Sequence, residues 1–307
     1  MQPPASRALR IVHLSDTHLT GDGTLHQGTV DTTAALDAIL DQLEQIPGVG
    51  LVVVSGDCSE DGSPASYTAL RDRLVPWAAA RKAGLVLVPG NHDQRVGFRE
   101  VLGTGHLLGD GGGPIVHDLV HRDASVPIGA VSSVAGRRIV TLDTSVPAAG
   151  WGELSDEALD RLRSTLREPS ELGSVLVLHH PPLVAPSRLH AALQLQNPDA
   201  LVAALDGTDV VAVLAGHYHH AFTGQVATPS GARIPVLVAP GVANDTDITG
   251  SYEEERALVA SGALIVDVDA DGALWSTPVR TVRPSDGQEA VHHSAAQVQE
   301  IAGRFGR

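Results

Sequence analysis

Three consecutive side chains, Asn91, His92 and Asp93, could together bind a cation or move a proton. They follow the apolar run 85–88, a proline and a glycine, a pattern typical of a loop that leaves the carboxyl end of a buried strand. An amide oxygen, an imidazole and a carboxylate are ligand types that suit transition metals. Because such a polar turn also occurs by chance, the interpretation depends on whether other loops carry similar side chains.

Four further loops carry carboxylates or imidazoles directly after a short apolar run. The five runs, each predicted to be a buried strand, are 9–14, 51–54, 85–88, 174–178 and 210–215. The ligand candidates that follow them are Asp16, His18, Asp57, Asn91, His179, His217 and His219. Each has an ordinary alternative explanation, such as an Asx turn, a helix cap or packing. Their joint occurrence at five strand ends indicates one metal site.

The elements between these loops explain how the candidates could meet. Amphipathic patterns predict helices at 32–45, 64–81, 155–167 and 198–205. Strands that alternate with helices form right-handed units with a parallel sheet, and ligands bind beyond the carboxyl ends of such strands. We therefore expect all five loops to lie at one edge of the fold.

The rest of the chain is predicted to be mostly strands. Neighbouring strands are expected at 127–131 and 138–142, and later strands at 221–227, 234–239, 263–268 and 273–279. Residues 281–307 are polar and predict a flexible C-terminal tail after a catalytic domain that spans 1–280.

The mixture of donors limits the kind of metal. Carboxylates with imidazoles suit zinc, manganese or iron, and a structural zinc site is disfavoured because no thiolate is among the donors. Seven side chains exceed the needs of one ion, whereas two ions about 3.5–4 Å apart that share one carboxylate fit the count. Neighbouring side chains of an extended segment point to opposite sides, so only one of His179 and His180 is expected to face an ion.

Composition excludes several other classes of protein. The chain has 307 residues, 43% of them hydrophobic, and a formal net charge of −15, which disfavours a nucleic acid polymer as partner. Cys58 is the single cysteine, so no intrachain disulfide can form, and a reducing compartment fits. No apolar run is long enough to span a membrane, and residues 1–7 lack the apolar core of a signal peptide. These features predict a cytoplasmic location.

The ordered motifs Asp-x-His, Gly-Asp, Gly-Asn-His-Asp, His-His-Pro and Gly-His-x-His resemble those of the calcineurin-like metallophosphoesterases over about residues 9–240. The flanking segments 14–19, 142–147 and 177–183 are similar to class III cyclic nucleotide phosphodiesterases within that superfamily. The resemblance implies an α/β fold, a four-layer αββα sandwich of two mixed β-sheets flanked by helices, and often a homodimer. It also implies an iron–manganese, dimanganese or zinc centre.

The resemblance further implies a role for each candidate. One metal ion would be held by Asp16, His18, Asp57 and His219, and the other by Asp57, Asn91, His179 and His217, with Asp57 bridging. His179 is favoured over His180 because it matches the His-x-Pro of the family. His92 would face the substrate phosphate and stabilise or protonate the leaving oxygen, and its neighbour Asp93 could orient it.

The expected activity is hydrolysis of 3',5'-cyclic nucleotides, cAMP or cGMP, to nucleoside 5'-monophosphates by a hydroxide that bridges two metal ions. A broad-specificity or glycerophosphodiester phosphodiesterase is the alternative, because the same centre handles both kinds of small diester. A phosphomonoesterase ranks third. A catalytically inactive metal-binding scaffold is disfavoured because every ligand type and His92 are present.

Overall fold

The computed structural model describes residues 8–115, 123 and 125–307. Residues 1–7, which contribute to the expectation of a cytoplasmic location, lie outside the described residues. The strands are β1 (Leu9–Leu14), β2 (Val49–Val54), β3 (Gly84–Leu87), β4 (His106–Leu108), β5 (Val131–Val134), β6 (Arg137–Leu142), β7 (Ser174–Leu178), β8 (Val210–Ala215), β9 (Phe222–Ala227), β10 (Arg233–Val238), β11 (Asp245–Thr246), β12 (Glu255–Leu258), β13 (Gly262–Val268), β14 (Leu274–Arg280) and β15 (Glu289–His293). The α-helices are α1 (Thr32–Gln42), α2 (Pro64–Ala80), α3 (Arg95–Leu102), α4 (Asp156–Thr165), α5 (Arg188–Ala192), α6 (Pro198–Ala204) and α7 (Ala295–Phe305).

Two six-stranded sheets form the centre of the fold. Their strand orders are β14-β13-β1-β2-β3-β4 and β5-β6-β7-β8-β10-β9. In the first sheet β1, β2 and β3 are parallel, and in the second β6, β7, β8 and β10 are parallel. The strands at both edges of each sheet run antiparallel to their neighbours, so both sheets are mixed, as predicted.

Alternation along β1 shows why the sheets form a layered sandwich. Leu9 and Ile11 enter an apolar cluster that side chains of both sheets share, whereas Val12 and Leu14 enter a cluster shared with α1 and α2. A third cluster joins the second sheet to α4 and α6. Since successive side chains of a strand point to opposite faces, each sheet is buried on both faces. The four-layer αββα prediction is confirmed.

The helices connect successive parallel strands, so the carboxyl ends of these strands lie at the same edge of each sheet. Asp31, Ser63 and Ser155 begin α1, α2 and α4, and each accepts a hydrogen bond from a backbone N–H of the first helical turn. Helix α1 ends at Gln42 rather than near 45, and β5 lies at Val131–Val134 rather than at 127–131. These differences in element boundaries do not move any loop that carries a candidate ligand.

The prediction of a flexible tail is wrong for residues 289–305. Strand β15 pairs with β12 in a separate three-stranded sheet of order β11-β12-β15, and α7 begins with a capping box between Ser294 and Gln297. The buried side chain of Val298 anchors α7. A helix with a narrow apolar stripe resembles a polar tail in composition, because most of its residues face water.

In the part of the chain that the structure describes, every helix is too short or too polar to cross a bilayer.

Candidate metal centre

Backbone hydrogen bonds hold the strand-end loops against one another. The N–H of Asp16 donates to the carbonyl of Gly56 over 3.0 Å, and the N–H of His18 donates to the carbonyl of Asp57 over 2.9 Å. The two sheets meet where Nδ1 of His179 lies 2.8 Å from the carbonyl oxygen of Ser55. The loops that follow β1, β2 and β7 therefore form one rigid unit.

A first group of donors contains Asp16, His18, Asp57 and His219, whose ligand atoms all lie within 4.8 Å of one another. Nε2 of His18 is 3.2 Å from Nε2 of His219, which is 3.3 Å from Oδ1 of Asp16. Bonds of about 2.0–2.2 Å to one ion would separate neighbouring donors by about 3.0–3.5 Å. This spacing fits a single metal ion.

A second group contains His179, His180 and His217, whose ligand atoms lie within 4.8 Å of one another, and Asn91 lies beside His179. Nε2 of His179 lies 3.1 Å from Oδ1 of Asn91 and 3.4 Å from Oδ2 of Asp57. Nε2 of His217 is buried and has no hydrogen-bond partner among the described residues. Burying such a nitrogen without a partner is costly, and a metal ion would provide the missing interaction. The residues present therefore fit a second ion.

Asp57 lies between the two groups. Its Oδ2 is 3.6 Å from Nε2 of His18 and 3.4 Å from Nε2 of His179. Burial alone would raise the pKa of Asp57, but His179, His92 and His18 hold it well below its ordinary value. A buried carboxylate that stays ionised between two sets of imidazoles has the position and charge of a bridging ligand.

The adjacent histidines have different surroundings, which distinguishes a ligand from a support. His180 forms hydrogen bonds through Nδ1 to Thr144 Oγ1 over 2.8 Å and through Nε2 to the carbonyl of Gly150 over 3.2 Å. Both of its nitrogens are thus occupied, although its ring lies 4.4 Å from that of His217. His179 instead turns Nε2 toward Asp57, so the geometry favours His179 as the ligand.

Three of the four candidate histidine ligands are oriented through their other ring nitrogen. Nδ1 of His18 is 2.7 Å from Glu60 Oε2, Nδ1 of His219 is 2.7 Å from Asn244 Oδ1, and Nδ1 of His179 contacts a backbone carbonyl. A partner at Nδ1 selects the tautomer that leaves Nε2 free to bind metal. Glu60 and Asn244 were not predicted from the sequence, although Glu60 stands only three residues after Asp57 in the same loop.

The backbone of the centre is strained at its ligands. Among the described residues, nine non-glycine residues have positive φ, and five of them are ligand candidates with φ between 44° and 73°: Asp16, His18, Asp57, His217 and His219. The backbone of a non-glycine residue rarely adopts a positive φ. Residues that the surrounding structure holds in this conformation cluster at functional sites. The surrounding fold therefore holds the donors in place at a conformational cost.

His92 stands beside the donors with its side chain 39% exposed. Its backbone N–H donates to Oδ1 of Asp57 over 2.9 Å, and its Nδ1 lies 3.2 Å from Oε2 of Glu60. Partial burial alone would lower the pKa of His92, yet the carboxylates of Asp57 and Glu60 raise it to about 9. The protonated imidazolium is thus favoured at neutral pH.

Glu60 contacts three imidazoles. Besides His18 and His92, it faces His26, whose Nδ1 lies 3.3 Å from Oε2 and whose ring centroid is 4.6 Å from that of His18. Although burial raises the pKa of Glu60, its hydrogen bonds with these histidines bring the pKa well below its usual range. Glu60 therefore stays ionised and connects the first donor group to His92.

The predicted orientation of His92 by Asp93 is wrong. The carboxylate of Asp93 accepts hydrogen bonds from the backbone N–H groups of Gly90, Cys58 and Ser59 over 2.8, 3.0 and 3.0 Å. Asp93 therefore braces the loop after β3 against the loop after β2, and Glu60 occupies the position at Nδ1 of His92. Neighbouring residues in a turn point in different directions, so adjacency was a poor guide.

A cavity of about 730 Å³ opens beside His92. Asn91 and His92 line one part of it, the loop at 145–150 a second, and side chains of α5 and α7 a third. Its volume lies within the range of about 300–1,000 Å³ that is typical of small-molecule sites. A small ester could therefore reach the donors through this cavity.

Two known proteins are similar to this chain in sequence. A cAMP/cGMP dual specificity phosphodiesterase of Mycobacterium tuberculosis is 36% identical over 286 residues, which cover 92% of this chain and 81% of that protein. A probable cyclic nucleotide phosphodiesterase of Rhodococcus erythropolis is 34% identical over 247 residues, which cover 80% of this chain and 75% of that protein.

Among solved structures, the purple acid phosphatase PPD1 of yellow lupin superposes with a TM-score of 0.51 and 13% identity, over 90% of this chain and 54% of that one, which supports the fold alone. The sequence model of the family described as calcineurin-like phosphoesterase matches residues 9–221, which include all seven candidate ligands and His92. The chain belongs to the calcineurin-like phosphoesterases, a family of phosphoester hydrolases.

Proposed function

We propose that this protein is a phosphodiesterase that hydrolyses 3',5'-cyclic nucleotides to nucleoside 5'-monophosphates at a centre of two metal ions. The observation that carries the hydrolytic part is the arrangement of two neighbouring donor groups, with Asn91 beside His179 and with Asp57 facing both His18 and His179. The substrate class is supported by the mycobacterial relative, whose name states activity on cAMP and cGMP.

The donors would hold one ion at Asp16, His18, Asp57 and His219, and the other at Asp57, Asn91, His179 and His217. When bound, the two ions supply water activation near neutral pH and neutralise charge on the phosphate. The chain itself holds the donors through the oriented imidazoles and the strained loops. These contacts keep the site organised, so little reorganisation is needed when substrate arrives.

His92 is the residue of this chain that would act on the leaving group. It lines the cavity, and its pKa of about 9 keeps a proton on the ring at neutral pH. When water adds to phosphorus and the bond to the ribose 3' oxygen breaks, that oxygen needs a proton or a hydrogen bond. His92 provides either, while Glu60 balances the charge of the imidazolium.

The test compares bis(p-nitrophenyl) phosphate with p-nitrophenyl phosphate on purified protein supplied with manganese, followed by cAMP and cGMP. We expect fast diester cleavage, slow monoester cleavage and release of nucleoside 5'-monophosphates. If the protein cleaves the diester but not cyclic nucleotides, its substrate would instead be another small diester, such as a glycerophosphodiester. Absence of all turnover in metal-loaded protein would instead favour a binding role.

The metal identities, the oligomeric state and the location remain predictions. Metal analysis of protein purified without chelator is expected to find two ions per chain, with iron and manganese favoured over dimanganese or zinc. Light scattering is expected to give the mass of a homodimer, and fractionation of the source cells is expected to place the protein in the cytoplasm.

A further inference from the structure

The C-terminal helix α7 forms one wall of the cavity that opens beside His92. Ile301 and Phe305 of α7 line it, together with Leu189 and Leu193 around α5. Phe305 is one of only three phenylalanines in the chain and is 38% exposed. The family signature ends at residue 221, so this wall lies outside the part of the chain that the family model describes.

Helix α7 is fixed in place rather than loosely attached. The backbone N–H of Gly150 donates to the carbonyl of Phe305 over 2.9 Å, and the N–H of Arg307 donates to the carbonyl of Ala192 over 3.1 Å. A Cβ atom at Gly306 would lie 2.9 Å from Ala192, so only glycine allows this close approach. The aromatic ring is thus held at a defined place.

The same contacts connect α7 to the loops of the metal centre. Gly150, which binds the end of α7, also accepts a hydrogen bond from His180, the residue next to the candidate ligand His179. The position of Phe305 is therefore set by the framework that supports the donors. The guanidinium of Arg304 lies 4.9 Å from the centroid of the Phe305 ring, and the ring also lines the cavity that it shares with His92. A flat aromatic ligand in this cavity can pack against the ring.

We propose that Phe305 and Ile301 form the surface on which the purine base of the nucleotide packs while its phosphate is at the metal donors. This inference rests on the proposed function, because it assigns the base of that substrate to the wall formed by α7. Stacking on an aromatic ring tolerates every base, since each has a π face. The wall therefore selects nucleotides over diesters without a base, and treats adenine and guanine alike.

The test uses two ligands that differ only by the base, AMP and ribose 5-phosphate, as competitive inhibitors. The full chain cleaves the reporter methyl p-nitrophenyl phosphate, so the measurement does not require turnover of cyclic nucleotides. In the unaltered protein we expect AMP to bind at least about tenfold more tightly than ribose 5-phosphate. In Phe305→Ala we expect most of that preference to disappear, with unchanged inhibition by ribose 5-phosphate.

Three further variants separate base packing from a general disturbance. Phe305→Trp keeps an aromatic face and should retain the preference, and Ile301→Ala should reduce it by a smaller factor. Glu300→Ala alters the same helix at an exposed position and should change nothing. With cAMP and cGMP as substrates, Phe305→Ala should raise KM for both by similar factors while kcat changes little.

Two results would overturn the inference. One is a preference for AMP that survives in both Phe305→Ala and Ile301→Ala. The other is equal weakening of AMP and ribose 5-phosphate, which would indicate a structural role for the helix. Failure of the proposed function would give a different result, because the unaltered protein would cleave the reporter but not cyclic nucleotides. Inhibition by AMP and by ribose 5-phosphate would still show whether the wall formed by α7 binds the base.

Discussion

The strand-end loops and the C-terminal segment 245–307 both line the cavity, the loops with polar side chains and the segment mainly with the apolar side chains of α7. The loops leave buried parallel strands, and their polar side chains are braced by hydrogen bonds at both backbone and ring nitrogens. Apart from β13 and β14, which belong to the first large sheet, the C-terminal segment forms a small antiparallel sheet and one helix. The small sheet has a minor apolar cluster around Val30, Ala257 and Ala290. Under the proposals above, the first region is the reaction centre and the second is a surface that selects what enters.

If this division is correct, changes in the loops abolish turnover of every substrate, whereas changes in the segment alter preference or local stability.

The largest effect is expected from Asp57→Ala. Both donor groups depend on this carboxylate, so we expect both metal ions to be lost and turnover of any diester to fall more than about a thousandfold. Metal analysis and bis(p-nitrophenyl) phosphate hydrolysis measure the two outcomes. Asp72→Ala, at an exposed position on α2, is the control and should retain both. Full metal occupancy in Asp57→Ala would refute the bridging role.

His92→Ala should separate metal binding from chemistry. The side chain belongs to neither donor group, so metal content should be unchanged, while loss of its proton or hydrogen bond should lower kcat by about 100- to 10,000-fold. The loss should be greatest for substrates with poor leaving groups, which most need protonation. A near-normal rate on a cyclic nucleotide would contradict the assigned role.

Substituting the two adjacent histidines should produce two different defects. His179→Ala should lose metal from the second donor group and with it most turnover. His180→Ala should keep both ions but lower the free energy of unfolding by about 1–3 kcal/mol, because the hydroxyl of Thr144 and the carbonyl of Gly150 lose a buried partner. Metal analysis and thermal melting of both variants measure this. Loss of metal in His180→Ala but not in His179→Ala would show that His180, rather than His179, is the ligand.

The most local effect is expected from Val298→Ala, because the change is confined to the docking of α7. Removing two buried methyl groups at about 0.8 kcal/mol each should weaken the docking of α7 by about 1.5 kcal/mol. The helix should open locally, and trypsin should cleave after Arg304 faster than in the unaltered chain, with little change in the melting temperature. Glu300→Ala is the matched control. Equally rapid cleavage in all three proteins would show that α7 is not held as described.

The candidate donors could be selected from the sequence because each comes shortly after an apolar run. Asp16, Asp57 and His217 were selected from this pattern, which reflects strands buried on both faces, and the structure brings them into donor groups. The hydrogen-bond partners were not found in this way. Asn244 lies 25 residues after His219, and its contact with that ring depends on how β10 returns to the centre. No local pattern contains this information.

The C-terminal segment was misjudged for a related reason. Its polar composition predicted a flexible tail, but β15 pairs with β12 and α7 buries Val298. A short strand and a helix with a narrow apolar stripe are stable only against a partner, and the partner is far away in the chain. Composition measures how much apolar surface a segment has, and does not show where that surface is covered.

By itself, the sequence determined the family, the layered α/β fold and the side chains available as metal donors. It did so because buried strands and donor spacing depend on residues that are close together in the chain, and such patterns are visible in the sequence. Only the tertiary structure decided that Nε2 of His179 faces Asp57 while His180 supports the loops, that Glu60 rather than Asp93 lies against His92, and that Phe305 faces the cavity. Each of these features is a contact between residues that are far apart in the sequence. The packing of the whole chain therefore determines the direction in which each side chain points.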